Sequence, residues 1–428
     1  MFIFFNHDNI IMVYFDLDTL NKEEIFLKDN VHKFAKEVIR PASIKLDKMK
    51  PEDRIAPGSP YFDVIREMKR QGYHRIHLPE NLGGLGLTNI GRYIVMEELG
   101  WASLGLATAI GVDAIPFTLA AIFGSKELYE ELVIPWINDN EGKYHGCWGV
   151  TEPEHGSDYL LFIRDGEAGI GRGNVIARKE GNEWVINGQK SAWVSAAPVA
   201  THMGLHAQIE GGKSLSDGIF AIVPLNIKGV RKGMPSDMLG VRDCPQGEVF
   251  FDDVRIPDHY VIAGPSPFYS VFFDQLLCLT SVGVGAYSVG LARAAFEEAL
   301  KYAKTRIQGG KLLVQHKNIK LKLYEMFEKI ETARYYVRKV MNHVYERILT
   351  ERAYDASPRH ARAAQIYAKK IAFEVVNDAL QIFGAYGLSS DFIIEKLFRD
   401  SRALLIEDGT VEVLSLDAAE DVISSYSE

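Results

Sequence analysis

Cys147-Trp148-Gly149-Val150-Thr151-Glu152-Pro153-Glu154-His155-Gly156-Ser157-Asp158 is the stretch on which the fold of this chain turns. It offers an indole (Trp148), two hydroxyls (Thr151, Ser157) and backbone N–H groups left open by Gly149 and Gly156. Those groups suit a ligand that carries both a ring and a phosphate. The stretch also marks a change of period. Before it, from residue 15 to about 143, apolar residues recur at helical spacing. After it, to about 262, short β-branched runs bounded by turns read as a small antiparallel β domain. These runs are Val175-Ile176-Ala177-Arg178-Lys179, Glu183 to Lys190, Gly218 to Pro224 and Glu248 to Pro257. From 263 to the end helices return, at 291–302, 319–348, 361–382 and 391–405, which implies a four-helix bundle. The fold class expected is therefore α+β in three parts, 15–143, 144–262 and 263–428.

Bulk properties narrow the field. A chain of 428 residues, 47% hydrophobic and 25% charged, has the composition of an ordinary globular protein of two or three domains. The formal net charge of -9 argues against a general nucleic-acid binder. Cys147, Cys244 and Cys278 have no paired spacing, so neither a zinc site nor a disulfide framework is expected, and no metal. The apolar N-terminus, residues 1–8, has no Lys or Arg before Lys22 and lacks the pattern of a signal or transit peptide; Met12 is an alternative start. No run reaches the roughly 20 apolar residues of a membrane span, so a cytoplasmic location is expected.

Within the helical parts, the first helix begins at Thr19 or Asn21. The glycine-rich stretch 78–86 is a turn between helices. The loop 165–174 holds four glycines, but not at Rossmann spacing and with no strand plainly before it. In the apolar stretch 104–117 Asp113 is the only charge. It must find a partner or face a polar cavity.

Two further segments carry chemistry. In Gly188-Gln189-Lys190-Ser191-Ala192-Trp193-Val194-Ser195 an indole and a hydroxyl stand two residues apart, on one face of a strand. In Tyr302-Ala303-Lys304-Thr305-Arg306-Ile307-Gln308-Gly309-Gly310-Lys311 to His316, Arg306 closes one helix and His316 opens the next, and an Arg there can clamp a phosphate. Taken singly, Trp148 and Trp193 also read as core aromatics, Ser157 as a turn residue and Arg306 as a helix-end cation. Near the C-terminus, Leu405-Ile406-Glu407-Asp408-Gly409-Thr410 places two carboxylates between an apolar run and a glycine. Such a stretch is either a capped helix end or a desolvated base.

In this order the segments resemble the acyl-CoA dehydrogenase family over residues 20 to 420. The resemblance includes the 78–86 loop, Thr-Glu-Pro-x-x-Gly-Ser-Asp, Trp-x-Ser, the Arg-x-x-x-Gly-Lys corner, Gln381-Ile382-Phe383-Gly384 and Gly409-Thr410. It implies an FAD enzyme with a helical N-terminal domain, a middle β domain and a C-terminal four-helix bundle. By resemblance, Trp148, Val150, Thr151, Gly156, Ser157, Trp193 and Ser195 contact the flavin. Arg306, Gln308, His316, Gln381 and Gly384 reach the FAD of a neighbouring subunit, and Thr410 and Glu412 lie on the flavin side of the last turn. A shared cofactor implies a homodimer or homotetramer. The implied substrate is an acyl-CoA, and the implied electron acceptor an electron-transferring flavoprotein.

Family members with the base on this turn carry Glu directly before Gly-Thr; here Asp408 stands there and Glu407 precedes it. Asp is one methylene shorter, and a misplacement of about 1 Å can cost on the order of 100-fold in rate. Asp408 is the expected base, with Glu407 its competitor. An Asp here is similar to the alicyclic branch, which acts on cyclohexane- or cyclohexenecarboxyl-CoA, and to nitroalkane oxidase. A short, branched or alicyclic acyl group is expected. Asp113 as a second carboxylate would allow 1,4-dehydrogenation of a cyclic enoyl-CoA; a same-fold oxidase or monooxygenase is the other alternative. Gly309 replaces the usual aromatic of the corner, and Ser281 stands where an Arg often sits.

Overall fold

The computed structural model describes residues 17–160, 173–213, 217–265 and 267–426. Residues 1–8, Met12 and positions 165–172 of the glycine loop lie outside them.

Helix α1 (Lys22–Phe34) starts at Asn21 rather than Thr19. The Asn21 side chain accepts from the Glu24 amide and Glu24 accepts from the Asn21 N–H, so two orphan donors are satisfied at once. A π turn leads into α2 (Arg40–Asp47), and α3 (Pro60–Arg70), α4 (Asn89–Ala102) and α5 (Leu104–Phe123) follow. Stretch 78–86 is the expected turn, holding one 3-10 turn at Glu80–Leu82. Ser103 breaks α4 from α5 and caps the second, accepting from the Leu106 amide.

The middle of the chain is an eight-stranded sheet: β1 (Gly146–Gly149), β2 (Ile176–Glu180), β3 (Glu183–Ser195), β4 (His202–Ile209), β5 (Gly218–Pro224), β6 (Val230–Lys232), β7 (Gln246–Pro257) and β8 (Val261–Ala263). Its order is β6-β7-β3-β2-β4-β5-β8, with β1 beside β4. The sheet is mixed, not wholly antiparallel. β1 pairs parallel to β4 at Gly146 to Gly149, and β2 pairs parallel to it at Ile176 and Ala177. The two strands share one edge of β4 at successive positions, so the chain leaves the sheet after β1 and re-enters in the same direction.

The C-terminal helices are α6 (Pro267–Thr305), α7 (Lys317–Tyr345), α8 (Pro358–Phe383), α9 (Ile394–Leu404) and α10 (Val411–Ser425). A two-stranded hairpin, β9 (Ile307–Gln308) and β10 (Lys311–Leu312), turns α6 into α7. α6 begins well before the periodic stretch 291–302. The part before residue 291 carries Gly283, Gly285 and Gly290 among β-branched residues, which weakens intrinsic helix propensity. Packing overrides propensity there. α4 and α6 cross at Gly100 and Gly290, and a Cβ on Gly290 would overlap the Glu97 carbonyl and the Trp101 amide. Gly290→Ala is expected to cost about 1–3 kcal/mol through this overlap, read as a lower denaturant midpoint; an unchanged midpoint would refute the close crossing. Helices α5 and α6 are long and apolar enough to cross a membrane by length and composition alone, but each is mostly buried within the protein, as a core helix is.

Candidate functional site

A cavity of about 630 Å³ opens where the sheet, α5, α6 and the 405–410 turn meet. Its apolar walls come from α5 (Leu104, Val112, Ile115, Leu119) and α6 (Leu276, Leu279, Val284). The polar lining comes from the segments singled out in the sequence. Trp148, Val150, Thr151, Gly156, Ser157, Trp193, Ser195, Glu407, Asp408 and Thr410 all line it.

The first segment folds tightly because Glu152 is buried. Its carboxylate accepts from the Val175 amide and pairs with Lys190 Nζ at 2.8 Å, itself fully buried. Lys190 Nζ also donates to the Val150 carbonyl, which stitches the segment to β3. Ser157 Oγ accepts from the Thr410 amide at 3.0 Å, so this segment and the catalytic candidate turn are joined directly. Trp193 is 60% exposed, although its neighbour Val194 is buried. An indole left open on a cavity wall is a platform for a flat ring. Trp148 Nε1 is buried with no partner among the described residues. A buried N–H without an acceptor is costly unless a ligand supplies one. Open indole, orphan N–H and hydroxyls fit a group with a polar ring and a phosphate.

The turn follows α9. Asp408 has φ +53, a left-handed conformation uncommon for a residue with a side chain, and Gly409 has φ +88. Thr410 then caps α10. The two acids part company as adjacent side chains must. Glu407 accepts from Gln246 Nε2 of β7 at 3.0 Å. Asp408 accepts from Gln365 Nε2 of α8 at 3.0 Å. Burial pushes Glu407 up to about 7, against the Gln246 hydrogen bond and helped by Asp400. Burial also raises Asp408, opposed by Lys369, Arg362 and Gln365. Burial lowers Lys369 to about 8, against the pull of Asp408 and Glu407. Both acids are therefore more basic than free carboxylates.

Asp113 is not part of this site, which corrects the expectation of a second carboxylate. Its neighbours Val112, Ala114 and Ile115 line the cavity, but its own side chain turns to the other side of α5. There it meets Lys69 Nζ at 3.1 Å and His145 Nδ1 at 3.4 Å, and accepts from Trp136 Nε1 and the Gly146 amide. Arg306, Gln308, His316, Gln381 and Gly384 do not line the cavity either. They gather at one end of the bundle, where Arg306 lies over the Tyr386 ring and donates to Gln308, and His316 pairs with the Gln308 carbonyl. Glu412 is exposed on the first turn of α10. Ser281 is buried and accepts from Arg362 Nη1 at 3.2 Å, so a guanidinium from α8 reaches the position.

Gln246, Gln365 and Lys369 were missed. The last two had a signal: Ala361, Ala364, Ala368 and Ala372 mark the buried stripe of α8, and Gln365 and Lys369 interrupt it. Among the described residues no cluster of His, Cys, Asp or Glu could hold a metal, and the three cysteines are buried free thiols.

Comparison with known proteins gives the chain its family. The N-terminal, middle and C-terminal domains of acyl-CoA dehydrogenases match residues 21–139, 147–254 and 275–423. A 3-(aryl)acrylate reductase of Clostridium sporogenes is 28% identical over 394 residues, 91% of this chain and 96% of its own. The human mitochondrial short-chain specific acyl-CoA dehydrogenase is 29% identical over 402 residues, 92% of this chain and 88% of its own. A nitroalkane oxidase structure, 22% identical, superposes with a TM-score of 0.83 over 94% of this chain and 96% of its own, a likeness of fold. With the three domains matched in order over the elements that build the cavity, the chain belongs to the acyl-CoA dehydrogenase family, oxidoreductases acting on CH–CH donors.

Proposed function

We propose that the cavity holds FAD and an acyl-CoA, and that Asp408 removes the proton α to the thioester carbonyl. The observation that carries this reading is the placing of a half-buried carboxylate on a strained turn beside the Trp193–Ser195 wall and the Ser157 segment. In it Trp148, Val150, Thr151, Gly156, Ser157, Trp193, Ser195 and Thr410 hold the flavin. When bound, FAD supplies the acceptor for the hydride lost from the β carbon. The chain's own part is to bury the acyl group away from water between α5 and α6, and to present a raised-pKa base to the α carbon. The apolar wall supports a short, branched or alicyclic acyl group. Electrons then leave to an electron-transferring flavoprotein. The group at the bundle end, Arg306, Gln308, His316, Gln381 and Gly384, would meet a partner subunit's cofactor in a homodimer or homotetramer, while Glu412 with Thr410 lies on the flavin side of the last turn. A monomeric mass in solution would overturn that part.

The test is anaerobic flavin bleaching with a panel of acyl-CoAs, alicyclic ones included. Bleaching by at least one saturated thioester is expected; none with any thioester would sink the reading. The Asp at 408 also favours a same-fold oxidase, and rapid reoxidation of the reduced enzyme in air would select it.

Glu407→Gln is expected to lower kcat less than about tenfold, since the glutamine keeps a hydrogen bond with Gln246 and only an auxiliary charge is lost. It removes a group titrating at about 7, so any slope of kcat near neutrality that Glu407 imposes should flatten. A dead Glu407→Gln enzyme would make Glu407 the base.

A further inference from the structure

Three consecutive carbonyls of the turn accept hydrogen bonds from one face of α8. Lys369 Nζ donates to Glu407 O at 2.6 Å and to Gly409 O at 3.0 Å. Gln365 Nε2 donates to Asp408 O at 3.1 Å and to Asp408 Oδ2 at 3.0 Å. The two side chains stand four residues apart, so they lie one above the other on the helix. Both are buried, among Ala361, Ala364, Ala368 and Ala372.

A buried ammonium is costly unless something needs it. Among the described residues Lys369 has no carboxylate within ion-pair distance; its hydrogen bonds go to backbone on either side of Asp408. The cradle therefore acts on the shape of the turn, and its charge acts on the acids carried there. The conformation held is the left-handed one at Asp408, which a residue with a side chain keeps only where its surroundings impose it. Other charged or polar groups face the same turn. Arg362 of α8 is engaged by Asp417 and Ser281, Asp400 comes from α9, and Gln246 of β7 takes Glu407.

This arrangement answers the problem set by the missing methylene. We infer that Lys369 and Gln365 are positioning residues, which fix the 407–409 backbone so that the short Asp408 carboxylate reaches the substrate while Glu407 stays with Gln246 on the sheet side. The inference rests on the reading of Asp408 as the base. Lys369 holds the backbone from both sides, and Gln365 sets the carboxylate itself. Neither touches the reacting carbon.

The test uses the flavin-loaded enzyme and whichever acyl-CoA bleaches it. Lys369→Met removes the donors and the charge at similar length, and Gln365→Leu removes only the clamp on Asp408. Lys369→Met is expected to lower kcat ~100-fold, the scale of a misplacement near 1 Å, with KM unchanged. The acid limb of its kcat–pH profile should move to higher pH, because the cation that opposes protonation of Asp408 is gone. Gln365→Leu is expected to lose roughly tenfold, the worth of one hydrogen bond to a charged group. In an Asp408→Asn background, Lys369→Met should cost nothing further. If Asp408→Asn keeps full turnover, the base reading fails and takes this inference with it. If Asp408→Asn is inactive while Lys369→Met keeps its kcat and its acid limb, the base stands and the cradle is overturned. A lower melting temperature with unchanged kcat per flavin-loaded site also overturns it, since that is the mark of a structural tie alone.

Discussion

Asp408→Asn is expected to lower kcat by about 10³–10⁴-fold while flavin content and acyl-CoA binding stay near those of the unmodified enzyme. Asparagine has the shape of aspartate, and its side-chain oxygen can still accept from Gln365 as Asp408 Oδ2 does. The turn, the Thr410–Ser157 bond and the Lys369 contacts belong to the backbone and survive. What is lost is the capacity to take a proton. Glu407 does not replace it. Its carboxylate is committed to Gln246 on the sheet side, and near neutral pH it is only partly ionised. Stopped-flow flavin reduction under anaerobic conditions checks the prediction directly. Normal bleaching in Asp408→Asn together with none in Glu407→Gln would show that the neighbouring acid is the base and that the turn is read one residue out of register.

The parts of the site legible in the sequence are those whose chemistry is local. Thr151, Gly156 and Ser157 lie in one loop, and Trp193 and Ser195 are separated by one strand residue, so spacing alone places them together. The parts that stayed hidden are tertiary. β4 is His202-Met203-Gly204-Leu205-His206-Ala207-Gln208-Ile209, poor in β-branched residues, and it is a strand because β1, β2 and β5 take up its backbone groups. α6 extends far beyond its periodic stretch because a helix buried around most of its length shows no amphipathic stripe. The same uniformity blinded the reading of α5: an Asp in a helix apolar all round gives no sign of which way it points. Gln365 and Lys369 were visible as breaks in an alanine stripe, but their partners lie about forty residues on, and only the fold brings them together.

Asp113→Ala is expected to destabilise the protein by about 3–5 kcal/mol, the usual cost of removing one partner from a buried ion pair. Lys69 is fully buried, and its ammonium lies 3.1 Å from Asp113 and 3.5 Å from Asp139, with the Tyr144 carbonyl as a further acceptor. Asp139 and that carbonyl remain in the variant, which places the loss toward the lower end. The Gly146 amide and the Trp136 indole N–H lose an acceptor as well, and both are buried. The pH dependence gives a second reading. Burial alone would raise the Asp113 carboxyl, yet Lys69 and His145 bring it down from 3.8 to about 2. A carboxylate with a depressed folded-state pKa adds stability that is fully present above pH 3.8 and is lost as pH falls toward 2. The shift corresponds to about 2 kcal/mol. The unmodified protein should therefore weaken across that window by more than the variant does, and the two denaturation midpoints should converge on acidification. Because the side chain points away from the cavity, kcat of the folded, flavin-loaded variant is expected to be unchanged with every acyl-CoA, cyclic enoyl-CoA included. Equal stability together with lost turnover on cyclic substrates would reverse the assignment. Asp113 would then have to swing from Lys69 into the cavity during turnover, and 1,4-dehydrogenation by two carboxylates would again be the reading to test.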